Sequence, residues 1–236
     1  MSTNDLLRED TIHLTSPLLY MMFVYLIQFM PPIPTNQIMI FFRKWHNINL
    51  SVLSLFMFIG VTIGQFQTGK FDTLDALLCK SYDGNMFAYY SVRAFLWSKY
   101  LEWGDTLFLH LGGKPISMLQ YTHHMSTAFL GWFAVNGGIV TPMSYPQISM
   151  NCAIHVFMYW YFAYPKGCLY PYRQLITTTQ IAQHVISLVL LVYVKLNESI
   201  CTQNPWIIEV GIAMYSMYLF YFTVFYLKSY KSGKIE

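Results

Sequence analysis

Residues 117–138 read SMLQYTHHMSTAFLGWFAVNGG, an apolar run long enough to cross the roughly 30 Å of a bilayer's hydrocarbon core. Inside it His123 and His124 stand side by side, where two imidazoles are costly unless they do chemistry. Similar runs recur near 14–30, 48–67, 86–110, 145–164, 174–195 and 205–228. The pattern predicts an all-α integral membrane protein with seven transmembrane helices in a single domain spanning 1–236.

The composition agrees. The chain has 236 residues, 55% hydrophobic, 18% aromatic and 11% charged. A soluble protein carries about 25% charged residues, so this surface is too apolar for water. No internal repeat, low-complexity tract or Gly/Ser linker suggests a second domain.

Lys and Arg concentrate on the cytosolic side of membrane proteins. With the N-terminus outside, the cytosolic segments receive Arg43, Lys44, Lys114, Lys166, Arg173, Lys228, Lys231 and Lys234. The opposite side receives Arg8, Lys70, Lys80 and Lys195, and Arg93 and Lys99 fall within a helix. This bias of eight against four favours an odd number of spans and a cytosolic C-terminus. Met1 to Asp10 mixes Arg8 with three acids, and no small-residue cleavage site follows the first apolar run, so the first helix is expected to be retained. Pro31, Pro32 and Pro34 mark the first cytosolic turn, because proline removes backbone donors.

The same topology places Cys79 and Cys201 together on the lumenal or external side, where either a disulfide or two unrelated thiols would fit. Cys152 falls within a span and Cys168 on the cytosolic side. Asn197-Glu198-Ser199 forms a glycosylation acceptor that lies close to the membrane.

Polar residues recur inside the spans at helical spacing. Lys99, Glu102 and Asp105 step by three and share a sector of about 120°. They form either a structural ion-pair ladder or a polar cavity wall that offers a cation to an anionic substrate. Asn151 and His155 stand four apart, with Met158, Tyr159 and Tyr161 beyond them. Thr177, Gln180 and Gln183 again step by three, beside His184; glutamines at such positions can serve simply as interhelical glue.

Four of these groups carry a family resemblance. Lys99 to Thr106 fits KxxExxDT, Gln120 to His124 fits [HQ]xxHH, Asn151 to Tyr161 fits NxxxHxxMYxY, and Thr177 to Gln183 fits TxxQxxQ. In this order and spacing the chain resembles the ELO family of very-long-chain fatty acid elongases, the 3-ketoacyl-CoA synthases of the endoplasmic reticulum membrane. The resemblance covers roughly residues 15 to 230. It implies six helices forming a barrel around a substrate tunnel open to the cytosol, and a lumenal disulfide at positions resembling Cys79 and Cys201. Lys234 stands third from the end without the second lysine of a strong retrieval signal, so the endoplasmic reticulum rests on the family alone.

The implied reaction condenses an acyl-CoA with malonyl-CoA. By resemblance His123 is the nucleophile that takes the acyl group as an acyl-imidazole. His124 and His155 are then candidates for proton transfer, for positioning the malonyl carboxylate and for stabilising the enolate oxygen. Gln120 stands where animal members carry histidine; an amide cannot shuttle protons, so this position should orient a group rather than titrate. Lys114, Arg173 and Lys228 lie where the phosphates of CoA would meet basic side chains, or they simply reflect the cytosolic charge bias. Lys99, Glu102, Asp105, Asn151, Tyr161, Thr177 and Gln180 complete the expected substrate contacts. No metal or further cofactor is expected. The partners implied are membrane lipid, the two CoA thioesters, the reductases and dehydratase of an elongation cycle, and a second copy in a homodimer; nucleic acid is not among them.

Two other classes share some of these features. A di-iron desaturase or hydroxylase also uses HxxHH boxes, but its centre needs about eight histidines in three boxes. This chain has seven, with His13 and His46 outside the motif helices. A seven-helix transporter or receptor would explain buried charges but not two adjacent histidines with a third on the next helix.

Overall fold

The computed structural model describes residues 3–33, 36–80, 84–136, 143–197 and 205–231. These residues form nine α-helices and no strand: α1 (Thr3–Ile27), α2 (Gln37–Gln67), α3 (Leu74–Cys79), α4 (Met86–Leu101), α5 (Trp103–Leu111), α6 (Met118–Asn136), α7 (Ser144–Ala163), α8 (Arg173–Leu196) and α9 (Pro205–Tyr226). A short 3-10 turn precedes α8 and a π turn, Leu227–Lys231, follows α9.

Local chemistry sets several boundaries. The Asn36 carboxamide accepts from the Met39 amide at 2.8 Å and starts α2 well before residue 48, where the apolar pattern alone begins. Thr73 and Asn85 cap α3 and α4 in the same way. Pro17 lies inside α1, and the Ser16 hydroxyl donates to the His13 carbonyl at 2.7 Å, the carbonyl that proline leaves without its usual donor.

The expected single helix over 86–110 is broken at Glu102. The Asp105 amide bonds the Glu102 carbonyl at 3.0 Å, one residue short of the α-helical step, so α4 and α5 meet at a tightened turn. Lys99 and Asp105 therefore stand on different helices.

Among the described residues, Gln37–Gln67, Tyr170–Leu196 and Trp206–Tyr230 are long and apolar enough to cross a membrane, and Thr11–Ile27 is a shorter apolar helix. Of the intervening helices α4 to α7, α4 and α5 are shorter, with 16 and 9 residues, and all four carry polar residues. Arg93, Lys99, Glu102 and Asp105 lie on α4, α5 and the turn between them; α6 holds Gln120, His123 and His124, and α7 holds Gln147, Asn151 and His155.

Burial follows the same division. Lys99, Glu102 and Thr106 are at most 2% exposed, while Leu18, Phe56 and Phe220 are more than 60% exposed. A surface of exposed apolar side chains around a polar interior is the arrangement that lipid favours. The chain is accordingly read as a multi-pass membrane protein.

Helix packing runs in a closed circuit: α2 packs on α4, α4 on α6, α6 on α9, α9 on α8, α8 on α7 and α7 on α2. Helix α1 lies against α5 and α6. Small residues allow the close approaches. A Cβ at Gly60 or Gly64 of α2 would collide with Ser91 or Ala88 of α4, and one at Gly131 of α6 would come within 2.9 Å of Leu96.

Candidate active site

The circuit surrounds a cavity of about 430 Å³. Its walls include Glu102, Asp105, Lys114, Gln120, His123, His124, Asn151, His155 and Gln180. Four helices and two helix ends thus bring nine of the expected residues to one space. A second cavity of about 90 Å³, called the inner cavity, adjoins the first, and His123, Asn151, Gln183 and His184 line both. Lys99 faces the inner cavity.

Charge is held at the junction by a closed hydrogen-bond ring. Lys99 Nζ donates to Glu102 Oε1 at 2.6 Å and to Asn151 Oδ1 at 3.3 Å. The Asn151 amide faces His155 Nε2 at 3.3 Å, and His155 Nδ1 lies 3.5 Å from Glu102 Oε1. Glu102 Oε2 makes no hydrogen bond.

Asp105 is held by a second set of partners. Its Oδ1 is 3.0 Å from His46 Nε2, and its Oδ2 accepts from the Tyr159 hydroxyl at 2.9 Å. Gln120 donates to the Thr106 hydroxyl at 3.1 Å, and Tyr20 on α1 reaches the same hydroxyl at 2.8 Å. Gln120 therefore links α6 to α5 through a neutral contact.

His123 is differently placed. Its ring packs edge-on against His124, with centroids 5.3 Å apart, and lies 5.2 Å from the Tyr218 ring and 6.0 Å from Phe222. The Tyr218 hydroxyl is fixed by Ser126 at 2.7 Å, so this aromatic wall is oriented. An imidazole between two cavities, one bearing Lys114 and the other largely apolar, can meet a group that spans both.

Other expected contacts fall outside the cavity walls. Arg173 stacks on Tyr170, with the guanidinium 4.3 Å from the ring centroid. Thr177 lies 3.3 Å from the Tyr230 hydroxyl. Tyr161 packs beside a cluster of Leu50, Met158, Tyr159 and Ile176, and Lys228 is exposed on the final turn. Gln180, in contrast, stays in the cavity wall and donates to the Met158 sulfur at 3.1 Å. Cys79 is disulfide-bonded, whereas Cys152 and Cys168 are free. Cys201, Glu198, Ser199 and Lys234 lie outside the described residues.

Sequence reasoning missed His46 and Tyr20 as supports of the site, and Tyr218 as its wall. A signal for α2 was present: Asn47, Ser51 and Ser54 recur at helical spacing and are buried, and His46 borders that stripe. Among the described residues, no group of three or more His, Cys, Asp or Glu side chains is disposed to hold a metal ion.

These features define a class, a multi-pass helical membrane protein with a buried histidine-rich polar site. Residues 6–236 match the ELO family, described as GNS1/SUR4, and the chain belongs to it. It is 33% identical over 150 residues to fatty acid elongase A of Dictyostelium discoideum, covering 62% of this chain and 54% of that protein. It is 32% identical over 165 residues to very long chain fatty acid elongase 4 of Trypanosoma cruzi, covering 66% and 56%. A third relative, long chain fatty acid elongase 2 of Caenorhabditis elegans, is 34% identical over 150 residues, covering 58% and 52%. The chain spans about half the length of the curated relatives it matches.

Proposed function

We propose that this protein elongates fatty acids by condensing an acyl-CoA with malonyl-CoA to give a 3-ketoacyl-CoA, CoA and CO2. The observation that carries the reading is the position of His123 at the junction of the two cavities. The thioester carbonyl sits beside His123, the CoA portion lies towards Lys114, and the acyl chain points into the inner cavity.

In the first half-reaction a ring nitrogen of His123 attacks the thioester carbonyl; the C–S bond breaks, CoA leaves as a thiol and an acyl-imidazole remains. In the second, malonyl-CoA loses CO2 and the resulting enolate carbon attacks the acyl carbonyl; the C–N bond breaks, and the ring nitrogen takes up one proton as the imidazole is freed. His124, His155 and Asn151 stand where they can position the malonyl group and donate to the enolate oxygen. Glu102 and Asp105 hold fixed negative charge nearby, and Lys99 balances it.

The six helices of the closed packing circuit form a barrel around this tunnel, with α1 outside, and seven spans place the mouth in the cytosol. A Cys79 to Cys201 bridge, an endoplasmic reticulum membrane location, homodimer formation and association with the reductases and dehydratase of the cycle belong to the same reading. The four groups of motif residues and the elongase names of the relatives support it.

The test is turnover of malonyl-CoA with acyl-CoAs of graded length by the purified full chain, beside His123→Ala. 3-Ketoacyl-CoA from the unsubstituted protein and none from the variant is the expected result. Absence of product at every length, or full activity in His123→Ala, overturns the reading.

A further inference from the structure

His184 on α8 is a buried imidazole that the condensation steps above leave unused. It is 4% exposed and lines both cavities. Among the described histidines only His123 shares that position; His124 and His155 line the outer cavity alone. Burying an imidazole costs more than burying an apolar ring of similar size, so packing by itself gives no reason for a histidine here.

The ring is held from α9. Its centroid lies 5.0 Å from that of Phe222, 5.6 Å from Tyr218 and 5.8 Å from Tyr215. Tyr218 and Phe222 are also the rings beside His123, at 5.2 and 6.0 Å. The nucleophile on α6 and His184 on α8 therefore meet at one aromatic wall. Within the His184 ring, Nδ1 is sealed and has no hydrogen-bond partner, whereas Nε2 is not among the sealed polar atoms. Because the ring lines both cavities, Nε2 is the nitrogen it presents to them. His155 differs, since its two nitrogens face Asn151 and Glu102.

The reaction needs a group in this place. A neutral His123 carries one N–H when its other nitrogen attacks; the acyl bond makes that proton acidic, and the ring needs a proton back when the C–N bond breaks. We propose that His184 Nε2 holds this proton between the two half-reactions, as general base in the first and general acid in the second. As CoA leaves, Nε2 takes the N–H proton of the acylated His123 ring, the departing thiolate takes one from the medium, and a neutral acyl-imidazole remains. When the enolate carbon bonds the acyl carbon, the C–N electron pair returns to the ring nitrogen and His184 gives its proton back to the freed imidazole. Each turnover then consumes one proton from the medium, which ends on the CoA thiol, and both histidines are restored. This rests on the proposed condensation reaction and deepens its mechanism.

The experiment follows the half-reactions separately in the natural protein, His184→Gln and His184→Phe; neither replacement can carry a proton. Thiol release from acyl-CoA alone reports acylation, and 3-ketoacyl-CoA formed on adding malonyl-CoA reports discharge. Binding of a fluorescent acyl-CoA gives the competent fraction by which both rates are divided. A positioned acid or base contributes about 10²–10⁴-fold, so discharge should fall at least a hundredfold in both variants. A smaller loss in either variant, once so divided, overturns the role of His184. Loss of all binding in both makes the ring a packing element and overturns it too. If the natural protein itself yields no 3-ketoacyl-CoA at any chain length, the condensation reading fails and this role with it; product from the natural protein and undiminished discharge in the variants removes His184 alone.

Discussion

His46 Nε2 lies 3.0 Å from Asp105 Oδ1, so a histidine on α2, outside every sequence motif, holds one oxygen of a cavity-lining carboxylate. The Tyr159 hydroxyl holds the other. Removing the imidazole leaves Asp105 with one partner, free to turn towards the cavity. A hydrogen bond to a charged group contributes about 1.5–3 kcal/mol, so His46→Phe should lower kcat/KM about ten- to a hundredfold. His46→Gln, which can still donate, should recover part of the loss. Steady-state kinetics on both variants checks this; equal loss in both would show that volume, not the hydrogen bond, matters.

The contact depends on Gly104. A Cβ there would stand 2.6 Å from His46 Cε1, closer than carbon atoms approach, and the ring is pinned by Asp105. Gly104→Ala should therefore destabilise the protein by about 1–3 kcal/mol through overpacking, despite alanine's better helix propensity. Thermal unfolding in detergent reads the loss. A neutral or raised midpoint would mean that α2 can move away at no cost.

How far the sequence discloses this arrangement differs by level. The seven apolar stretches each contain helix, because length and hydrophobicity suffice to identify them. The break at Glu102 was not legible, since periodicity places Lys99, Glu102 and Asp105 on one continuous face and carries no mark of a tightened turn. Likewise, spacing indicates that Asn151 and His155 share a face, but not that Asn151 closes a ring through Lys99 on another helix. His184 looks like a neighbour of a glutamine stripe; only the packing of α8 on α9 sets it against Tyr218 and Phe222. Pairings between helices depend on tertiary geometry, which a single-helix pattern does not contain.

Cys79 ends α3 in a disulfide, next to Leu78, which is fully buried among Met143, Leu191, Val194 and Ile208. Met143, Leu191 and Ile208 also line the inner cavity. Leu78, the neighbour of the cross-linked Cys79, thus packs on residues of the cavity lining. Cys79→Ser, or mild reduction, should lower stability by about 2–4 kcal/mol. Unfolding midpoints with and without reductant, compared between the natural protein and the variant, check this. A midpoint insensitive to reductant in both would contradict it.

The Lys99 and Glu102 side chains are each 2% exposed and pair at 2.6 Å, which makes the pair a sensitive test of whether charge here serves the fold or the site. Breaking a buried pair by removing one partner costs about 3–5 kcal/mol, whereas replacing both with well-packed neutral groups is often close to neutral. Lys99→Met leaves the Glu102 carboxylate with His155 Nδ1 at 3.5 Å and should destabilise strongly. Adding Glu102→Gln to it removes the uncompensated charge, so the double variant should unfold closer to the natural protein than Lys99→Met does. Activity should not follow stability back. His155 no longer faces a carboxylate at Nδ1, and Asn151 loses the lysine that orients its carbonyl. Unfolding midpoints and malonyl-CoA turnover measured on the three proteins separate the two roles. Recovery of both together would mean that the pair serves only the fold, and recovery of neither would mean that the ring is replaceable only as a whole.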